Sequence, residues 1–256
     1  MQTVNALRIA SFNIHKGMSP LNRHVSLPGI AQQLELLGAD VLFLQEVQGR
    51  NLLRAQRLET FPSIPQHDYL ARKLSQKAVY GLNAGYDNGH HGNAILSRFP
   101  IRQWCNRDIS VNRLESRGLL HCDLSLPGWP IDVTALCVHL NLLGRDRRKQ
   151  MAALAEYIAH AVPAGNGLIL AGDFNDWRAR ANREFADALG LVEVHQEIHG
   201  RHGRSFPARL PLLRLDRIYV RGLSVSRAEV LSGPPWSRLS DHLPLSAELL
   251  PAERVQ

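Results

Sequence analysis

Asp173 and Asn175 close the run L-I-L-A-G-D-F-N (168–175), so a carboxylate and a carboxamide follow four apolar residues and a glycine. A carboxylate can hold a cation or take a proton from water, and an amide can donate to a phosphate oxygen without adding charge. In an extended segment residues i and i+2 share a face, which turns both groups into one cleft and sends Phe174 to the core. Other apolar runs end in polar groups too. Leu7 to Ile14 delivers Asn13, Val41 to Leu44 leads into Glu46, Ile131 to Leu140 delivers His139, Leu213 to Val220 contains Asp216, and Asp241-His242 precede a last strand. A carboxylate directly after a buried strand is costly unless it meets a cation or a hydrogen-bond donor, which makes Glu46 a metal-ligand candidate. The alternative is a first-turn carboxylate of a helix running through Leu52 and Leu53. Taken singly, Asp and Asn also mark ordinary turns, and a strand-end histidine is often a half-buried imidazole.

The elements that must position these groups can be read in order. Leu7, Ile9 and Ser11 alternate with Arg8, Ala10 and Phe12 as a strand. Ser26 is placed to cap a helix with Leu27, Ile30, Leu34 and Leu37 at helical spacing, closed by Gly38. Val41 to Leu44 reads as a buried strand finishing at Gln45-Glu46-Val47. Strands are expected at Tyr69 to Lys73, Ala78 to Asn83 and Gly92 to Ser97, with a Gly- and Asn-rich loop from Ala84 to His91, in the pattern of a β-meander. Arg117 to Leu126 and Ile131 to Leu140 are two more strands, joined by the turn Pro127-Gly128-Trp129-Pro130. A helix carries Met151, Leu154, Ile158 and Val162; Arg145, Arg147, Arg148 and Lys149 at its start oppose the helix dipole, as a solvated basic turn or as an attractor for a phosphorylated ligand. Ala181 to Leu189 reads as a helix. The stretch His195 to Arg204 holds His195, His199 and His202 but no cysteine, and reads as a loop rather than a zinc site.

The chain has 256 residues and no long linker, which suits one domain over 1–256. A net charge of +7, spread along the chain, suits an anionic partner or equally a solvated Arg-rich surface. Cys105, Cys122 and Cys137 are odd in number, lack metal-type spacing and sit in apolar runs, as free thiols in a reducing compartment would. No cleaved leader or transmembrane segment is visible, so a cytoplasmic monomer is expected.

The motifs S-F-N-I-H-K-G, L-Q-E-V, G-N-A-I-L-S-R, V-H-L, G-D-F-N, L-D-R-I-Y-V and S-D-H-L-P-L occur in an order that resembles the endonuclease/exonuclease/phosphatase superfamily, from Leu7 to about Leu249. The opening N-I-H-K-G and the stretch Ser205-Phe206-Pro207 through Arg214-Leu215-Asp216 look more like its compact bacterial members than its abasic-site endonucleases. The resemblance implies an α+β fold, a four-layer α/β/β/α sandwich of two mostly antiparallel sheets packed face to face with helices outside. It also implies roles. Asn13, Glu46 and Asp241 would hold Mg²⁺ or Mn²⁺, hard ions suited to oxygen ligands. Asp173 would orient or deprotonate water, Asn175 would hold a phosphate oxygen, and His242, oriented by Asp216, would act as base or electrostatic stabiliser. His139 would act on the leaving side, with Asn93 and Arg117 as lesser phosphate contacts.

The activity so implied is metal-dependent hydrolysis of phosphodiester or phosphomonoester bonds by in-line attack of water, foremost a nuclease. Trp236 or Trp177 could stack on a base, line an apolar pocket, or pack the core. A phospholipid headgroup or inositol phosphate is the alternative substrate. A catalytically dead phosphate-binding module is the alternative of another class, and the filled polar positions speak against it.

Overall fold

A computed structural model describes residues 4–177 and 180–252. In chain order the elements are β1 (Leu7–Asn13), α1 (Leu27–Leu37), β2 (Val41–Asn51), α2 (Leu52–Arg57), α3 (Gln66–Leu74), β3 (Lys77–Tyr86), β4 (Gly89–Ser97) and β5 (Ile101–Asp108). Then follow β6 (Gly118–Leu124), β7 (Val133–His139), α4 (Gly144–Ala161), β8 (Gly167–Asp173), α5 (Arg180–Leu189), β9 (Val192–Glu193) and α6 (Val194–His199). The described chain closes with β10 (Asp216–Arg221), β11 (Leu223–Val230), α7 (Trp236–Leu239) and β12 (Leu245–Pro251).

The strands form two six-stranded sheets, ordered β11-β12-β1-β2-β4-β3 and β5-β6-β7-β8-β10-β9. Pairing is antiparallel except for β1 with β2 and β7 with β8, which α1 and α4 connect as crossovers. The chain passes from one sheet to the other at Arg98-Phe99-Pro100, so β3 and β4 pair in the first sheet and β5 begins the second.

Strand periodicity explains the layers. Leu7, Ile9, Val41 and Phe43 of the first sheet meet Ala135, Cys137, Ile169 and Ala171 of the second in a common core. The alternate residues face outward under helices: Ala10, Phe12, Leu42 and Leu44 pack with Ile30 and Leu34 of α1, and Leu136, Val138, Leu168 and Leu170 pack with Met151, Leu154 and Ile158 of α4. With both faces covered, such strands are apolar at nearly every position. The four-layer sandwich is therefore the observed fold.

Several local expectations are corrected. Tyr69 to Lys73 is helical, within α3: Gln66 and Leu70, four apart, are its buried residues, and Asp68 at the start with Arg72 and Lys73 at the end complement the dipole. Ala84 to His91 is no loop, because β3 and β4 form a hairpin that turns at Asp87-Asn88. His195 and His199 lie on the short helix α6, capped by Glu193, whose carboxylate accepts from the backbone N–H of His195 and Gln196. Leu213 lies outside β10, which starts at Asp216. Ser26 precedes α1, but its hydroxyl makes no cap bond. Cys105 is half-buried, unlike Cys122 and Cys137.

Candidate active site

The inward-facing parity of the strands runs on past their apolar stretches. Leu7, Ile9 and Ser11 lead to Asn13; Val133, Ala135 and Cys137 lead to His139; Ile169 and Ala171 lead to Asp173. At the far end of β10, Val220 and Ile218 lead back to Asp216. Polar side chains at these positions must emerge between the sheets at one edge of the core. Register makes the placement tight: His139 and Asp216 are the lateral partners of Asp173 on either side of β8. Gly172 permits the close packing, since its φ is 149° and a Cβ there would overlap the Val138 carbonyl.

Asp173 is the hub. Its exposure is 1%, Asn13 Nδ2 donates to its Oδ2 at 3.2 Å, and the Asn175 N–H donates to its Oδ1 at 2.9 Å. His139 Nε2 lies 3.5 Å and His242 Nε2 3.7 Å from the same Oδ2. His242 is fixed from behind by a 2.8 Å bond between Nδ1 and Asp216 Oδ2. Asn175 reaches the cleft through a left-handed turn, φ 50°, rather than by strand extension; its Nδ2 donates to Leu140 O at 2.9 Å, and Phe174 is buried as expected.

Glu46 is not at the end of a strand. It occupies a bulge inside β2, between the paired residues Leu44 and Val47, with a φ of 53° that a non-glycine residue adopts only under constraint. The helix α2 starts too far along for Glu46 to serve its first turn. The bulge aims the carboxylate into the pocket, where Oε2 is buried without a hydrogen bond and Lys16 Nζ stands 3.3 Å away. Burial opposes the charge on Glu46, but His139, Lys16, His15 and His242 outweigh it and hold the carboxyl down at about 2. His139 itself is driven well below the usual imidazole range by burial and by Arg117, whereas Lys16 and His242 also act on Glu46 and His242 keeps its proton.

Lys16 belongs to a turn in which His15, Lys16 and Gly17 all have positive φ, of 46°, 57° and 65°. Asn13 Oδ1 accepts from the His15 N–H at 3.1 Å and starts that turn. Its other side chain, His15, points Nδ1 toward Asp241 Oδ1 at 3.8 Å. Asp241 is thus linked to the site from the side, while Ser240 Oγ donates to the Asn13 carbonyl at 2.7 Å and ties the S-D-H loop to β1.

A pocket of about 220 Å³ opens over these groups, lined by Asn13, Glu46, Arg117, His139, Asp173, Asn175 and His242 on one side and by Leu142, Trp177, Phe206, Leu213 and Leu215 on the other. Arg117 bonds Glu115 at 3.0 Å through Nη2 and leaves Nε buried without an acceptor. Two of the residues singled out in the sequence lie elsewhere. Asn93 sits between the sheets and donates to Gly118 O at 3.1 Å and Cys137 O at 3.4 Å. Trp236, at the start of α7, packs edge-on against Phe12, ring centroids 5.8 Å apart.

The sequence had not singled out the supports. Arg147, one of the cations at the start of α4, is buried, donates to the Asn141 and Leu142 carbonyls and lies 3.8 Å from Asp176. Gln150 accepts from the Asn141 N–H at 2.9 Å, and Arg217 donates to the Asp216 carbonyl at 2.9 Å. Arg147 and Gln150 were detectable only as polar residues in the buried phase of α4. The His-rich segment is satisfied locally: His202 bonds Glu193 at 2.7 Å, His195 the Arg201 carbonyl at 2.6 Å and His199 the Ala228 carbonyl at 2.7 Å.

Two donor sets could meet a cation. Asp173, Asp216 and His242 present ligand atoms within 4.8 Å of one another, but the short His242–Asp216 bond already satisfies two of them. Glu46 Oε2, like Asp216 Oδ1, is a buried carboxylate oxygen with no hydrogen bond, and it shares the pocket with the Asn13 amide, while Asp241 stands beside His15. A hard divalent ion fits the second set.

The family model described as Endonuclease/Exonuclease/phosphatase family matches residues 10–242. The protein YbhP of Escherichia coli (strain K12) is 42% identical over 244 residues, which is 95% of this chain and 96% of YbhP. Among solved structures, a mannosyl-6-phosphatase of Bacteroides thetaiotaomicron VPI-5482 matches with a TM-score of 0.73 at 18% identity, over 95% of this chain and 99% of that chain. D. rerio TDP2 complexed with single-strand DNA product matches with a TM-score of 0.68 at 20% identity, over 96% of this chain and 99% of that chain. These two structural likenesses speak to the fold alone.

Proposed function

The chain belongs to the endonuclease/exonuclease/phosphatase family, whose members are hydrolases of phosphate esters, and from that premise we propose that it cleaves its ester by in-line attack of a water activated on Asp173. The supporting observation is the buried Asp173 carboxylate, held by Asn13 and the Asn175 N–H and flanked by His139 and His242. A carboxylate so enclosed is costly to keep unless its position serves the reaction. It accepts the proton of the attacking water. Asp216 keeps His242 oriented, and the His242 Nε2–H faces the charge that develops on the phosphoryl oxygens. Asn175 has one amide hydrogen left for a phosphate oxygen, Arg117 offers its unpartnered Nε–H, and to His139 we assign the role of donor to the leaving oxygen.

Glu46, with Asn13 and Asp241, would hold Mg²⁺ or Mn²⁺. When bound, the ion polarises the phosphoryl oxygen and screens its charge. Of the two tryptophans that could stack on a base, Trp177 alone borders the pocket, so little in the walls selects nucleic acid over other phosphodiesters.

The test is hydrolysis of bis-p-nitrophenyl phosphate and of a chiral phosphorothioate diester with Mg²⁺ or Mn²⁺. Direct attack by water predicts turnover that a chelator abolishes, with inversion at phosphorus. Turnover that survives the chelator, or retention through a phosphorylated histidine, would overturn it.

A further inference from the structure

Among the described residues, large apolar side chains stand exposed on the loops around the pocket mouth: Leu114, Leu142, Leu143, Trp177, Leu210 and Leu212, at 95, 60, 64, 51, 65 and 57%. Their loops are physically joined. The Leu142 N–H donates to Glu115 Oε1 at 3.4 Å, and Asn112 Nδ2 donates to Asp146 Oδ2 at 2.7 Å, binding the Leu114 loop to the start of α4. A bridge between Phe206 and Leu213 closes the turn that projects Leu210 and Leu212. Leu142, Trp177, Phe206 and Leu213 continue the same apolar surface into the pocket wall. Single exposed leucines are ordinary, but a ring of them around one opening marks an interaction surface.

The charge on that ring has one dominant sign. Arg113, Arg145, Arg148, Lys149 and Arg209 are exposed on or beside these loops. The nearby acids are engaged, Glu115 with Arg117 and Asp146 with Asn112. Five of these six side chains are leucines, which give a base nothing to stack on, and Trp177 alone among them is aromatic, whereas proteins that hold single strands rely on several aromatic platforms. Leucines that enter the acyl boundary, set among arginines that meet phosphate headgroups, match an anionic lipid surface. We propose that this rim docks on an anionic phospholipid bilayer and presents the pocket to a headgroup phosphate. Docking follows from the rim alone; turnover of the headgroup rests on the hydrolytic reading of the pocket.

The test is sedimentation of the full chain with phosphatidylcholine vesicles and with phosphatidylcholine/phosphatidylglycerol vesicles, for the wild type and a Leu143→Ser/Leu210→Ser/Leu212→Ser variant. Hydrolysis of bis-p-nitrophenyl phosphate is followed alongside. The expected result is binding to the anionic vesicles, weakened by salt and reduced about tenfold or more in the variant, with hydrolysis of the small ester unchanged. Failure to sediment with the anionic vesicles, equal binding by the variant, or rim-dependent binding of a single-stranded oligonucleotide in place of vesicles would overturn it. Rim-dependent vesicle binding by a protein that hydrolyses no ester would support the docking surface and overturn the hydrolytic reading.

Discussion

His242 Nδ1 lies 2.8 Å from Asp216 Oδ2, and this buried bond sets the charge of the imidazole that faces the pocket. Burial opposes that charge, yet Asp216 and Asp173 outweigh it and hold His242 up at about 10. Burial raises Asp173, the His242 charge opposes and Asp216 adds, leaving the carboxyl at about 6. Asp173 must be unprotonated to accept a proton, and His242 must keep its own. The rate of ester hydrolysis is therefore expected to fall as pH drops below about 6, stay level above it, and fall again near about 10. The two limbs belong to the pair as a unit. Asp216→Asn removes the charge behind the imidazole, so a pH–rate profile of that variant should show the alkaline limb moved toward neutrality and the plateau lowered by about 10²-fold.

Lys16 Nζ stands 3.3 Å from the Glu46 carboxylate, where it would compete with a divalent ion held as proposed. Lys16→Met is expected to bind Mn²⁺ roughly five- to tenfold more tightly by calorimetry, as removal of one partly screened like charge requires. Weaker binding would make the lysine a support of the site instead of a competitor.

Gly172 has no room for a side chain, because a Cβ would run into the Val138 carbonyl of the neighbouring strand. Gly172→Ala is expected to lower stability by about 3 kcal/mol in urea titration, a typical upper figure for overpacking. An unchanged midpoint would mean that the β7–β8 packing relaxes freely.

Trp236 packs on Phe12 and not in the pocket. Trp236→Ala should cost ~2 kcal/mol of stability, less than for a fully buried indole. Its kcat and KM should stay within about twofold of wild type. A selective rise in KM would return Trp236 to the substrate surface.

Much of this was legible because two rules coincide at the strand ends. In β1, β7 and β8 the apolar run gives both layers and parity, and the next inward-facing position carries Asn13, His139 or Asp173. Gly38 closes α1 in the left-handed conformation expected of a helix-ending glycine. What stayed hidden depends on contacts between distant segments. The positive φ of Glu46 comes from the unequal pairing of β2 with β4, to which the local sequence L-Q-E-V gives no clue. Tyr69 to Lys73 is too short to show a helical period by itself, and the buried pair Gln66 and Leu70 marks the helix, with Gln66 bonded to Lys16 O at 2.8 Å and to the Gln48 N–H at 2.9 Å. The exposed leucines of the rim are indistinguishable from core leucines until the loops are seen.

The most direct measurement is kcat for Asp173→Asn against wild type on bis-p-nitrophenyl phosphate, with Mn²⁺ binding checked by calorimetry. A proton acceptor at Asp173 predicts a fall of about 10²–10³-fold or more with the ion still bound. A kcat within a few-fold of wild type would contradict the placement of the reaction at Asp173.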